Sequence, residues 1–103
     1  MLVRMTIGEF KKSAEFIAKR NVSERVVRVI ASFDEIVQHL SVVYIVDSEP
    51  CDDDREDCEL TCAELIAEFP EIRTAETTCV SEPKHRSHQS ELDAVVFSRN
   101  SPA

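Results

Sequence analysis

Eight carboxylates crowd into thirteen residues, Asp47–Glu59 (Asp-Ser-Glu-Pro-Cys-Asp-Asp-Asp-Arg-Glu-Asp-Cys-Glu), with Arg55 the one base among them. That segment carries −7 of the chain's net −8. Carboxylates at this density repel one another and destabilise the chain that holds them. They can bind cations or meet something basic. A calcium loop of the helix–loop–helix type needs alternating oxygen ligands, a central glycine and a bidentate glutamate. Here the aspartates are consecutive and no glycine separates them, so that motif is excluded.

The other reactive residues point nowhere specific. A zinc site can be drawn from Cys51, Cys79, His85 and His88, but their spacing matches no common ribbon or finger. Cys58 and Cys62 stand four apart within an apolar stripe and read as small hydrophobes. Gly8 is the only glycine, which argues against phosphate-cradling loops and dinucleotide folds. No metalloprotease pattern occurs, and a Ser–His–Asp triad assembled on paper has no specificity. The expectation is a protein without catalytic residues, metal or cofactor.

The elements that position the carboxylates come next. Thr6 and Glu9 form a capping box, and Ile7, Phe10, Ala14 and Ile17 recur at helical spacing, which predicts a helix over 7–20. Ser23 is a candidate N-cap for a second helix, in which Val26, Val29, Ile30, Phe33, Ile36, Val37 and Leu40 fit a period of 3.6. The rival reading is a strand over 25–31 and a short helix capped by Ser32 and Glu35. The β-branched content favours the rival; the unbroken period favours one helix, which is the reading adopted.

Residues 41–47 (Ser-Val-Val-Tyr-Ile-Val-Asp) read as a buried central strand. Asp52, Asp53 or Asp54 then caps a third helix, where negative charge meets the positive end of the helix dipole. Cys58, Cys62, Leu65, Ile66 and Phe69 form its apolar stripe, and Pro70 ends it. Residues 73–80 and 93–99 read as strands joined by a polar connection over 81–90. The expected fold is α+β in the order α-α-β-α-β-β: one domain, with a small, mainly antiparallel sheet of about three strands covered by three helices.

At 103 residues the chain suits one domain. Its acidity disfavours direct contact with nucleic acid or an anionic membrane. Met1–Met5 holds no signal-peptide core, the longest apolar run is too short to span a bilayer, and a cytoplasmic location is expected. On the third helix, Leu60 points away from the stripe. Ala63 and Ala67 lie beside it, and Glu56, Glu64 and Glu68 border them. A desolvated centre with a charged rim has the anatomy of an interface. The expected contact residues are Asp52, Asp53, Asp54, Glu56 and Glu59 for charge, with Leu60 and Glu64 on the helix face.

In size, acidity and the carboxylate cluster followed by a glutamate-lined helix, the chain resembles bacterial immunity proteins of the colicin and contact-dependent growth inhibition systems. The resemblance implies a non-enzymatic inhibitor whose acidic surface covers the active site or substrate cleft of a basic nuclease toxin. The alternatives are an accessory subunit of a larger complex and a small metal- or redox-linked protein.

Overall fold

In the computed structural model, residues 6–81 (Ile7 by its backbone alone) and the backbone of residues 93–98 are described. A helix, α1 (Ile7–Arg20), is followed by two strands, β1 (Val26–Asp34) and β2 (His39–Val46). A second helix, α2 (Asp52–Glu68), and two further strands, β3 (Thr74–Ser81) and β4 (Asp93–Ser98), complete the order. The strands form one sheet in the spatial order β3-β2-β1-β4. β1 pairs antiparallel with β2 and β4, while β3 lies parallel to β2. The α+β class therefore holds, but the sheet is mixed and, among the described residues, has four strands. The β2–α2–β3 stretch is a crossover, because parallel neighbours cannot be joined by a tight turn and need an intervening element.

α1 starts as its capping box requires. The Glu9 amide donates to Thr6 Oγ1 at 3.1 Å and the Thr6 amide to Glu9 Oε1 at 3.3 Å. It buries Phe10, Ala14, Ile17 and Ala18. α2 buries Cys58, Thr61, Cys62 and Leu65. Both helices pack on the sheet face formed by Val29, Ala31, Leu40, Val42, Tyr44 and Val46, and all of these share one core. Ile66, expected in the apolar stripe, is exposed instead.

The expected second helix is not formed: two helices, not three, occur among the described residues, and residues 26–34 are a strand. The helical period was produced by an irregularity. A register shift between Val26 and Arg28 lets both Val26 and Val29 reach the core, a spacing of three that an undisturbed strand would not give. The period was completed by Ile36 and Val37, which sit exposed at the tip of the β1–β2 hairpin. There the Asp34 carboxylate accepts the Ile36 amide at 2.9 Å and Gln38 turns to φ 57°. The short helix of the rival reading is this turn. Val26, Val27, Val29 and Ile30 are stiff at χ1 and favour a pleated surface, and β2 supplies the partner that settles the matter.

The buried hydroxyl of Tyr44 ties the layers together. It donates to the Asn21 carbonyl at 3.0 Å, just past the end of α1, and meets Thr61 Oγ1 of α2 at 2.5 Å. Burial pushes its pKa up, since an anion there would lose its water. The polar connection expected over 81–90 lies outside the described residues beyond Ser81, and His85 and His88 lie there too.

Candidate functional site

The acidic segment runs from the end of β2 into the first two turns of α2. Its carboxylates divide sharply. Asp54 is buried, with 1% of its surface exposed. Arg25 Nε lies 3.2 and 3.1 Å from the two Asp54 carboxylate oxygens, and Arg25 Nη2 lies 3.0 Å from Oδ2. The Cys51 amide donates to the same carboxylate at 2.9 Å, and Arg25 also donates to the Glu49 carbonyl at 2.6 Å. One aspartate thus fastens the start of β1, the 47–51 loop and the first turn of α2. Burial by itself would raise the Asp54 pKa, but the Arg25 guanidinium and the Cys51 hydrogen bond outweigh it and hold the carboxyl below its usual range. The N-cap position is Cys51, not one of the three aspartates that follow.

The remaining acids face outward. Asp52, Asp53, Glu56 and Glu59 are exposed. Asp52 meets Arg55 at 3.4 Å in a solvent-exposed pair, which contributes little. Asp57 is half-buried; partial desolvation, then the charges of Asp54, Asp53 and Glu56, raise its pKa. The cluster is a source of negative potential that only one base within it offsets.

Along the outer side of α2, Asp53, Glu56, Leu60, Ala63 and Ala67 follow one another at three- and four-residue steps. All are exposed, and Leu60 shows 45% of its surface. Ala67 and Glu68 form one bank of a groove of about 620 Å³ between the helices, with Lys12, Phe16 and Arg20 on the other. Phe16 is 63% exposed. Arg20 lies over its ring at 5.0 Å and reaches Glu64 Oε1 at 2.7 Å. Asn21 also donates to Glu64 at 3.2 Å. Arg20 therefore depresses the Glu64 pKa and occupies its carboxylate.

Of the seven residues picked from sequence, five (Asp52, Asp53, Glu56, Glu59 and Leu60) form one exposed surface. Asp54 is turned inward, and Glu64 is paired at the rim. Phe16 was passed over, although its place off the Phe10–Ala14–Ile17 stripe already marked it as outward-facing. Cys51 is exposed and Cys79 half-buried, and all four cysteines are free thiols. Among the described residues no three His, Cys, Asp or Glu side chains converge as a metal would require. No helix among them is long and apolar enough to cross a membrane.

The architecture is that of a small α+β domain whose most distinctive feature is an acidic, apolar-centred helix face. The chain belongs to the MafI2 immunity protein family, whose model matches residues 20–101, from the last residue of α1 through β4. It is a toxin immunity protein. No curated protein matches the chain.

Proposed function

We propose that this immunity protein silences its cognate toxin without catalysis, by laying the outer face of α2 over a basic cleft. The observation that carries the reading is Leu60, solvent-exposed on the same face as Asp53 and Glu56, with Asp52 and Glu59 also exposed nearby. The apolar centre supplies contact that excludes water, and the rim supplies charge. A nuclease fits this surface because an enzyme that grips phosphates must line its cleft with lysine and arginine. Binding there would block substrate by occupancy alone. The proposed place of action is the cytoplasm, where a reducing environment keeps four unpaired cysteines as thiols.

On the α1 bank of the groove Lys12 carries the charge that a basic partner would avoid, Arg20 being paired with Glu64.

The test is reversal of Asp53 and Glu56 to lysine, with association to the toxin followed by stopped flow at several salt concentrations. Steered association can reach roughly 10⁸ M⁻¹ s⁻¹ at low salt and falls toward about 10⁵–10⁶ M⁻¹ s⁻¹ without steering. The double variant should lose most of its salt dependence and bind slowly. Unchanged rates at every salt concentration would refute the acidic face as the docking surface. Capture from host extract at low and moderate salt addresses the toxin's nature: a basic nuclease is expected, and a neutral or acidic toxin would overturn that part.

A further inference from the structure

Among the described residues β3 is the outermost strand on its side of the sheet. It pairs with β2 over all eight of its residues without a break in register, whereas both β1 pairings contain irregularities. Cys58 Sγ, coming down from α2, lies 3.7 Å from the Val42 carbonyl and 3.6 Å from the Thr78 carbonyl. Both oxygens must therefore sit in the seam between β2 and β3. The Gln38 carbonyl accepts two amides, that of Arg73 just before the strand at 2.8 Å and that of Thr74, the first residue of β3, at 3.3 Å; within the strand the inward set therefore starts at Thr74. Main-chain groups of successive strand residues point to opposite sides. The amides and carbonyls of Ala75, Thr77 and Cys79 consequently face away from the sheet, and no strand pairs with them among the described residues.

Natural proteins usually blunt such an edge with lysine, proline, a bulge or a very short strand. β3, Thr-Ala-Glu-Thr-Thr-Cys-Val-Ser, has none of these, and Glu76 is its only charged residue. A regular, unprotected edge is a template for an added strand, with main-chain bonds supplying the contact. A second copy of this chain is a poor occupant. Each copy carries −8, and α2 packs directly over β2 and β3, so edge-to-edge pairing would draw two acidic helices together. A basic partner meets the opposite field.

We infer that the outer edge of β3 receives an extended segment of the cognate toxin as a fifth strand, beside the acidic α2 face. The inference rests on the proposed direct capture of a basic toxin. It adds a second, main-chain component to that contact.

The experiment is amide hydrogen exchange on the full chain, alone and in complex with the toxin against which its expression protects cells. The amides of Ala75, Thr77 and Cys79 should exchange quickly in the free protein and slow on the order of 100-fold in the complex. Thr77→Pro removes one outward amide at a position where an edge strand tolerates proline. It should speed toxin dissociation by about tenfold or more with little change in association. Unaltered exchange of these three amides in the complex would overturn the inference. So would protection that grows with protein concentration in the absence of toxin, which would assign the edge to a second copy. The two readings separate cleanly. Slowed association in the Asp53 and Glu56 reversal without β3 protection leaves the acidic face standing and removes the added strand. β3 protection with no effect of the reversal does the opposite.

Discussion

Asp53 and Asp54 are neighbours of identical chemistry put to opposite uses. Asp54 is enclosed and carries three kinds of partner: a guanidinium, a main-chain amide and, through Arg25, the 47–51 loop. Asp53 faces solvent. One residue spends its charge inside the fold, the other presents it to whatever approaches. A count of carboxylates therefore overstates the acidic surface, and the surface that remains depends on the internal pair to hold α2 in place.

The sharpest way to break this contrast is to remove each side chain in turn. Asp54→Ala should destabilise the protein by about 2 kcal/mol, because it leaves the Cys51 amide without its acceptor and takes the carboxylate from Arg25, which keeps only the Glu49 carbonyl and solvent. Asp53→Ala should stay within about 0.5 kcal/mol of the parent. Urea denaturation measures both, and equal losses would erase the distinction.

Tyr44→Phe extends the comparison to a neutral buried group. It leaves Thr61 and the Asn21 carbonyl without their shared partner, at a cost of about 1–2 kcal/mol by the same denaturation assay. Leu60→Ala tests the outward side. Its effect on stability should be under about 0.5 kcal/mol, while toxin affinity should fall by about 1 kcal/mol or more, roughly fivefold, by calorimetry. A larger stability loss than binding loss would move Leu60 from the surface class to the core class.

Changes of pH extend the same contrast. Asp54 has a depressed carboxyl in the folded state, so its contribution is intact above the ordinary carboxyl pKa and declines as pH falls through the depressed value. Asp54→Asn should flatten that acid limb. At the alkaline end, burial raises the Cys58 thiol from near 9 to about 12. The unfolded thiol ionises first, so stability should decline between those values, and Cys58→Ala should remove part of the slope. Midpoints of thermal melts across pH report both.

The helix boundaries show why some elements were legible and one was not. α1 announced itself through Thr6 and Glu9, and α2 through the stripe of Cys58, Cys62, Leu65 and Phe69, all of which are buried, while Ile66 is exposed. These are local signals, carried by residues within a turn of each other. β1 was misread because a register irregularity and an exposed hairpin tip placed apolar residues at helical intervals. Ile36, at 91% exposure, belongs to no core at all. Its place in the apparent period was accidental, and within residues 24–40 only the β-branched content spoke against the helix.

The sequence by itself determined the α+β class, the two helices that formed, the places of β2, β3 and β4, and the concentration of carboxylates at the start of α2. It also sufficed for the likeness to immunity proteins, since size and net charge are properties of composition. Only the tertiary structure decided that β1 is a strand, that β3 runs parallel to β2, and that Asp54 belongs to the interior. Each of these depends on a partner distant along the chain: Val42 opposite Ala31, Thr78 beside Val43, Arg25 against Asp54 from 29 positions away. Periodicity reports which residues prefer burial. Which strand bonds to which, and which of several equal carboxylates a cation chooses, is set by hydrogen bonding and charge pairing across the folded chain.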